Sequence, residues 1–98
     1  RLETLLKSEV SNANFNMLKV EKQLFISRSK LQRRIKKTTG LTPNKYFREI
    51  RLQVARELLE SGKIETISEV AAAVGFDTPH YFSTIYEKRF GKRPVEVL

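Results

Sequence analysis

Apolar residues recur along this chain at spacings of three and four, and alternation of period two never lasts, which predicts helices and no strand. Leu2, Leu5, Leu6 and Val10 mark a first amphipathic helix over 2–11, broken by Asn12-Ala13-Asn14. Asn16 is a good N-cap, and Phe15 before it is placed to staple onto Val20, so a second helix runs over about 17–24. Phe25 and Ile26 form a turn, Ser27 caps a helix over about 28–38, and Gly40 ends it. Thr42-Pro43 reads as a cap followed by proline at the first helical position. The helix it opens runs to about Ser61, with Gly62 as its stop and Phe47, Ile50, Val54 and Leu58 as its buried stripe beside Ala55 and Leu59. Thr66-Ile67-Ser68-Glu69 reads as a capping box for a helix over about 67–74. Gly75 and Phe76 make a turn, Asp77 caps a helix over about 78–90 that Gly91 ends, and Pro94 opens a terminal turn.

The chain says nearly the same thing twice. Met17, Val20, Leu24, Ile26 and Ser27 match Ile67, Val70, Val74, Phe76 and Asp77 at an offset of 50. The match continues at an offset of 51, with Leu31, Ile35, Gly40 and Pro43 falling on Phe82, Tyr86, Gly91 and Pro94. A duplication with one slipped residue means two copies of one supersecondary unit. Each copy is short helix, tight turn, second helix, the helix-turn-helix plan. The expected architecture is all-α with about seven helices: a unit over 1–41, a linking helix over 42–62 and a unit over 63–98, within one domain of 1–98. Either copy alone is near the lower size limit for a self-sufficient core, so the two must share helices.

Charge changes the picture. The chain carries +8, with 19 Lys and Arg against 11 Asp and Glu. Residues 1–50 hold twelve basic and four acidic residues, and residues 51–98 hold seven of each. All the excess positive charge therefore lies in the first half, where it favours a polyanion. Cysteine is absent, which removes disulfides and thiolate metal sites. No apolar run approaches the roughly 20 residues that span a bilayer, and no signal peptide is visible. A cytoplasmic, nucleoid-associated protein without membrane contact is expected. The start at Arg1 rather than Met points to a piece of a longer protein.

In a helix-turn-helix the second helix enters the major groove, where base edges differ in hydrogen-bond pattern. Leu31 and Ile35 must face the core, which leaves Ser29, Gln32, Arg33 and Lys36 on the opposite face. Arg reads guanine bidentately and Gln reads adenine. Arg28, Lys30, Arg34 and Lys37 flank that face and suit phosphates. From Arg28 to Lys37 six of ten residues are basic and none is acidic, so a merely solvated face is the weaker reading. In the second copy His80, Ser83, Thr84 and Glu87 take the groove face, with Phe82, Tyr86 and Phe90 inward. Arg33 is paired with Thr84 and Lys36 with Glu87, so the first helix is expected to supply most specificity and affinity. His80 is either a DNA contact or a surface residue. Ser27 and Asp77, with Thr78, are placed to touch phosphate through a helix N-terminus. The linking helix, about 28 Å long, is of the order of the roughly 34 Å between reading heads on one face of DNA.

These residues carry a family resemblance over essentially the whole chain. The run 67–76 (ISEVAAAVGF), Tyr81-Phe82-Ser83, Phe90-Gly91 and Pro94 resemble the signature of the arabinose-regulator (AraC/XylS) DNA-binding domain. The segments 27–31 (SRSKL) and 40–43 (GLTP), and Arg51-Leu52 with Ala55 and Leu58-Leu59, resemble its first half. The resemblance implies the C-terminal domain of a bacterial transcription regulator, with seven helices, two helix-turn-helix units and a separate signal-receiving part. The style of the first half is similar to output domains of hybrid two-component regulators. Thr84 and Glu87 depart from the family pattern, which often has Arg and a basic residue there. Phe25 stands where the family commonly has Gly.

Three function classes remain open at this point. The first is sequence-specific binding of double-stranded DNA by a monomer-competent domain. The second is a basic architectural or RNA-binding module that grips backbones without reading bases. The third is a protein-interaction domain, since tandem helical units also dock RNA polymerase. An enzyme is disfavoured, because no Gly-rich phosphate loop, paired His or nucleophile with a plausible base is visible. No cofactor, metal or small-molecule ligand is implied.

Overall fold

A computed structural model of the chain describes residues 2–98. Among them lie six α-helices: α1 Leu2–Ser8, α2 Met17–Leu24, α3 Arg28–Thr39, α4 Pro43–Ser61, α5 Ile67–Ala73 and α6 Pro79–Phe90. A single 3₁₀ turn over Pro94–Glu96 takes the place of a seventh helix. No strand occurs among the described residues.

The helix starts follow from local chemistry. Asn16, Ser27, Thr42 and Thr66 each accept a backbone N–H three residues on, satisfying one of the orphan donors of a first turn. At Thr66 the box closes differently from expectation. Its hydroxyl accepts from the Glu69 amide at 3.1 Å and donates to the Glu69 carboxylate at 2.9 Å, so the carboxylate reaches the cap's side chain rather than its backbone. Helix α1 stops at Ser8, three residues short of the expected end, where the Ser8 hydroxyl donates to the Leu5 carbonyl at 2.7 Å. Such local bonds offer the backbone an alternative to further helix. Val10 is buried all the same, carried in by the turn that follows.

Helix α4 is the shared element. One apolar cluster joins Leu6, Val10, Phe15, Val20, Leu31 and Ile35 to Phe47 and Ile50 of α4. A second joins Val70, Val74, Phe76, Phe82 and Tyr86 to Leu52, Ala55 and Leu59 of the same helix. The buried belt of α4 is therefore wider than the expected stripe. Leu52 is 3% exposed, whereas Val54 and Leu58 are only half-buried, because the helix is gripped from two sides. Val54 packs against both clusters. The resulting body is 40 Å long and about half that across, long enough to span one turn of DNA, about 34 Å.

Arg51 closes the waist between the two halves. Its Nη2 donates to the Asn12 carbonyl at 2.7 Å, and its guanidinium lies 4.3 Å from the centre of the Phe47 ring. Burial pulls its pKa down and the charge of Asp77 opposes that fall, so it stays protonated. Gly75, in the second turn, sits at φ +78, and a Cβ there would overlap the Val10 carbonyl oxygen and crowd Arg51. The equivalent residue of the first turn is Phe25, also left-handed at φ 52 but 96% exposed. Both turns close with the same wide bond, from Ile26 N–H to the Glu21 carbonyl and from Phe76 N–H to the Ala71 carbonyl. Packing and conformation together thus demand glycine at Gly75, whereas at Phe25 the left-handed backbone favours glycine but nothing packed against it requires one.

The two turns make opposite predictions. Phe25→Gly relieves a left-handed strain of about 1–2 kcal/mol, less about 0.5–1 for glycine's chain entropy, and should raise unfolding stability by roughly 0.5–1 kcal/mol. Gly75→Ala should lower it by roughly 2 kcal/mol or more. Urea unfolding of both variants against the parent checks the signs.

Candidate nucleic-acid interface

The second helix of each unit, α3 and α6, has 12 residues, and the two coincide at an offset of 51. The cap of α6 corrects the sequence reading. Thr78, not Asp77, is the N-cap: its hydroxyl accepts from the Tyr81 amide at 3.0 Å, and Pro79 takes the first helical position. The slipped residue of the duplication is thereby located. The first turn has Phe25 and Ile26 before its cap, whereas the second has Gly75, Phe76 and the extra Asp77. That extra residue leaves a carboxylate near Arg51 rather than at the helix start.

On α3, Leu31 and Ile35 are each 1% exposed, and Ser29, Gln32, Arg33 and Lys36 are all exposed together. Arg28, Lys30, Arg34 and Lys37 are exposed on its flanks, as is the cap Ser27. Arg28 is not fully free. Its Nε lies 3.4 Å from the half-buried Glu21 carboxylate, which holds it against α2. The other flanking cations and both cations of the face form no ion pair among the described residues. Gln32, Arg33, Lys36 and Lys37 border an open depression floored by Leu41 and Pro43.

On α6, Phe82 and Tyr86 are inward at 0% and 2% exposed, with Phe90 half-buried. His80, Thr84 and Glu87 are exposed, as are Asp77 and Thr78, but Ser83 is only half-buried. The Thr84 hydroxyl donates to the His80 carbonyl at 3.1 Å, so only its acceptor capacity and its methyl remain for a partner. Tyr81 is half exposed and packs its ring, tilted, against Phe76 with centroids 5.8 Å apart, which makes it a cover for the core. The second face is thus poorer in free donors than the first, and it carries a carboxylate.

Two long-range contacts that no sequence pattern announces hold α6 in place. Glu49 of α4 accepts two bonds of 2.8 Å from Arg89, 40 residues on, and a third of 2.7 Å from Gln53. Partial burial alone would raise the Glu49 pKa, but the bonds from Arg89 and Gln53 outweigh it and hold the carboxylate below its ordinary value. Two guanidinium groups lie near the Phe90 ring, Arg89 at 4.8 Å and Arg56 at 5.2 Å from its centre.

The comparisons with known proteins agree with this geometry. Residues 20–98 match the helix-turn-helix domain family. Histidine kinase P4 of Formosa agariphila is 39% identical over 94% of the chain, and the match spans 7% of the kinase's length. The transcriptional activator RhaS of Klebsiella pneumoniae is 35% identical over 80% of the chain, and the match spans 28% of RhaS. Among solved structures, the C-terminal domain of AraT, a response regulator from Geobacillus stearothermophilus, superposes with a TM-score of 0.84 at 33% identity, covering 97% of this chain and 78% of that one. The chain belongs to the AraC-type family of helix-turn-helix domains, the DNA-binding parts of transcription regulators. It corresponds to a small part of the length of the curated relatives it matches.

The face assignment separates two kinds of contact. Arg33→Ala should cost roughly 1–3 kcal/mol on the best site and relax preference at one base pair. Lys37→Ala should weaken all sequences alike. Titration of each variant against the best site and against random duplex checks this; equal losses for Arg33→Ala on both would remove it from the reading face.

Proposed function

We propose that this domain reads double-stranded DNA for a bacterial transcription regulator, with α3 and α6 entering successive major grooves on one side of the duplex. The observation that carries the reading is the face of α3. Gln32 and Arg33, which suit adenine and guanine edges, stand exposed between Ser29 and Lys36 while Leu31 and Ile35 anchor the helix behind them. Backbone gripping without base reading would need the cations but not that pairing of Gln with Arg.

The unequal faces support unequal roles. α3 carries the specificity through Ser29, Gln32, Arg33 and Lys36. α6 contributes less, through His80, Ser83 and Thr84, and Glu87 either accepts from cytosine N4 or is repelled by phosphate. Ser27, Arg28, Lys30, Arg34, Lys37, Asp77 and Thr78 are the backbone contacts, with Arg28 first having to leave Glu21. The isolated domain acts as a monomer, because one chain presents both reading heads. It catalyses no reaction of its own.

The kinase and response-regulator relatives support a place at the output end of a two-component protein, with the phosphorylation signal received elsewhere in a longer chain. RNA polymerase is the expected protein partner at the promoter, and the cytoplasmic nucleoid the place of action. No described helix is long and apolar enough to cross a membrane.

Selection of bound duplexes from a random library at physiological salt tests the reading. Two short boxes one helical turn apart are expected, with the stronger constraint in one of them. No enrichment would overturn base reading in favour of an architectural role. On the selected site Glu87→Ala should leave affinity unchanged or improve it; a large loss would make Glu87 a base reader.

A further inference from the structure

The surface between the two recognition helices holds a second cluster of cations that none of the contacts above uses. α4 and α6 enclose a cleft of about 230 Å³ whose walls carry Lys45 and Arg48 on one side and Lys88 on the other. All three are exposed, and none has a carboxylate partner among the described residues. The one acid lining the cleft, Glu49, is already closed by Arg89 and Gln53. Three like charges therefore face one another across an apolar floor that includes Leu52, at 3% exposed. Glu49 offsets part of the Arg48 charge, but its oxygens are taken up by Arg89 and Gln53, so the cluster keeps an excess of positive charge that favours an anion from outside.

Position says which anion. Leu41 lines this cleft and also the depression bordered by Gln32, Arg33 and Lys36, so the two form one continuous surface from α3 to α6. On the α6 side the cleft is walled by Ile85 and Lys88, the immediate neighbours of the groove-face residues Thr84 and Glu87. Lys88 stands at the register of Lys37 in the duplication, 51 residues on. When two reading heads occupy successive major grooves on one face of B-DNA, the minor groove crosses between them, bordered by phosphates of both strands. We infer that Lys45, Arg48 and Lys88 form a saddle that binds the phosphates of this intervening DNA segment. The inference rests on the paired-groove reading of α3 and α6.

The saddle supplies backbone affinity where the second recognition helix is poor in it. α6 has no Lys or Arg on its groove face and carries Glu87 there, yet it sits beside the saddle. Phosphate contacts fix register without carrying sequence. The cluster would therefore hold α6 at its groove whatever bases lie in the spacer.

The test uses the triple variant Lys45→Gln, Arg48→Gln, Lys88→Gln, with the single variant Lys88→Gln beside it and Glu49–Arg89 left intact. Each is titrated against three duplexes: the selected two-box site, a duplex ending after the box read by α3, and the two-box site with uncharged methylphosphonates in the spacer. On the two-box site the triple variant should flatten the slope of log affinity against log salt by about 2 to 3, and weaken binding about tenfold or more at physiological salt, near 0.15 M. The single variant should flatten it by about 1. On the one-box duplex both variants should match the parent, and the methylphosphonate spacer should weaken the parent until it equals the triple variant. The preferred sequence should not change. An unaltered slope on the two-box site, or an equal loss on the one-box duplex, would overturn the saddle while leaving the reading faces in place; intact DNA binding combined with loss of polymerase-dependent activation would assign the cluster to an acidic protein partner instead. A parent that binds one-box and two-box duplexes equally would overturn the paired-groove reading, and the saddle with it.

Discussion

Burial of α4 against two apolar clusters at once is the constraint on which the rest of this molecule depends. Neither half has enough apolar surface to close a core without it: Phe47 and Ile50 complete one cluster, and Leu52, Ala55 and Leu59 complete the other. Chains much shorter than this one rarely bury enough to pay for their own ordering. The same helix that stabilises both units thereby fixes the distance and angle between them. Arg51, bonded across the waist to the Asn12 carbonyl, and Glu49, held by Arg89, lock the two ends of that relation. Spacing between the reading heads is a by-product of folding rather than an added device.

Within that frame the two copies have diverged in what they present outward, while what they bury has hardly changed. Leu31 and Ile35 of α3 are replaced by Phe82 and Tyr86 of α6 in the same register, and all four are buried. The outward positions pass from Arg33 and Lys36 to Thr84 and Glu87, which turns a cationic face into one that carries a carboxylate. The turns have diverged too. Gly75 is pressed against the Val10 carbonyl and has no alternative, whereas Phe25 keeps the left-handed backbone with its ring in solvent, where burial repays none of the strain. Nothing in the packing explains Phe25.

Most of the fold was legible because helices announce themselves through period, caps and stops. Thr42-Pro43 gave the start of α4 to the residue, and Gly40, Gly62 and Gly91 marked three ends. At the start of α6 local chemistry outweighs the duplication, and Thr78 rather than Asp77 is the cap. Asp77 is the register match of Ser27, but Thr78-Pro79 repeats the cap-then-proline chemistry of Thr42-Pro43. The end of α1 was misread because Leu2, Leu5, Leu6 and Val10 keep helical spacing even though the backbone turns after Ser8. The width of the α4 belt, the Glu49–Arg89 clamp and the meeting of Lys45 and Arg48 with Lys88 were not legible at all. Each joins residues distant in the chain, and no local pattern encodes such a meeting. The exposure of the outward residues of α3 and α6, Ser83 excepted, followed directly from which residues had to be buried.

One rigid body sets both reading heads at a fixed separation, and moving the boxes tests this most directly. Affinity should be measured for the selected site with base pairs inserted one at a time into its spacer. A single sharp optimum is expected and, with about half a helical turn added, a fall to the affinity of the box read by α3 alone, because α4 cannot stretch or twist to follow a groove that has moved to the other side of the duplex. Affinity that stays level as the spacer grows would contradict it, since the two units would then have to move independently of α4.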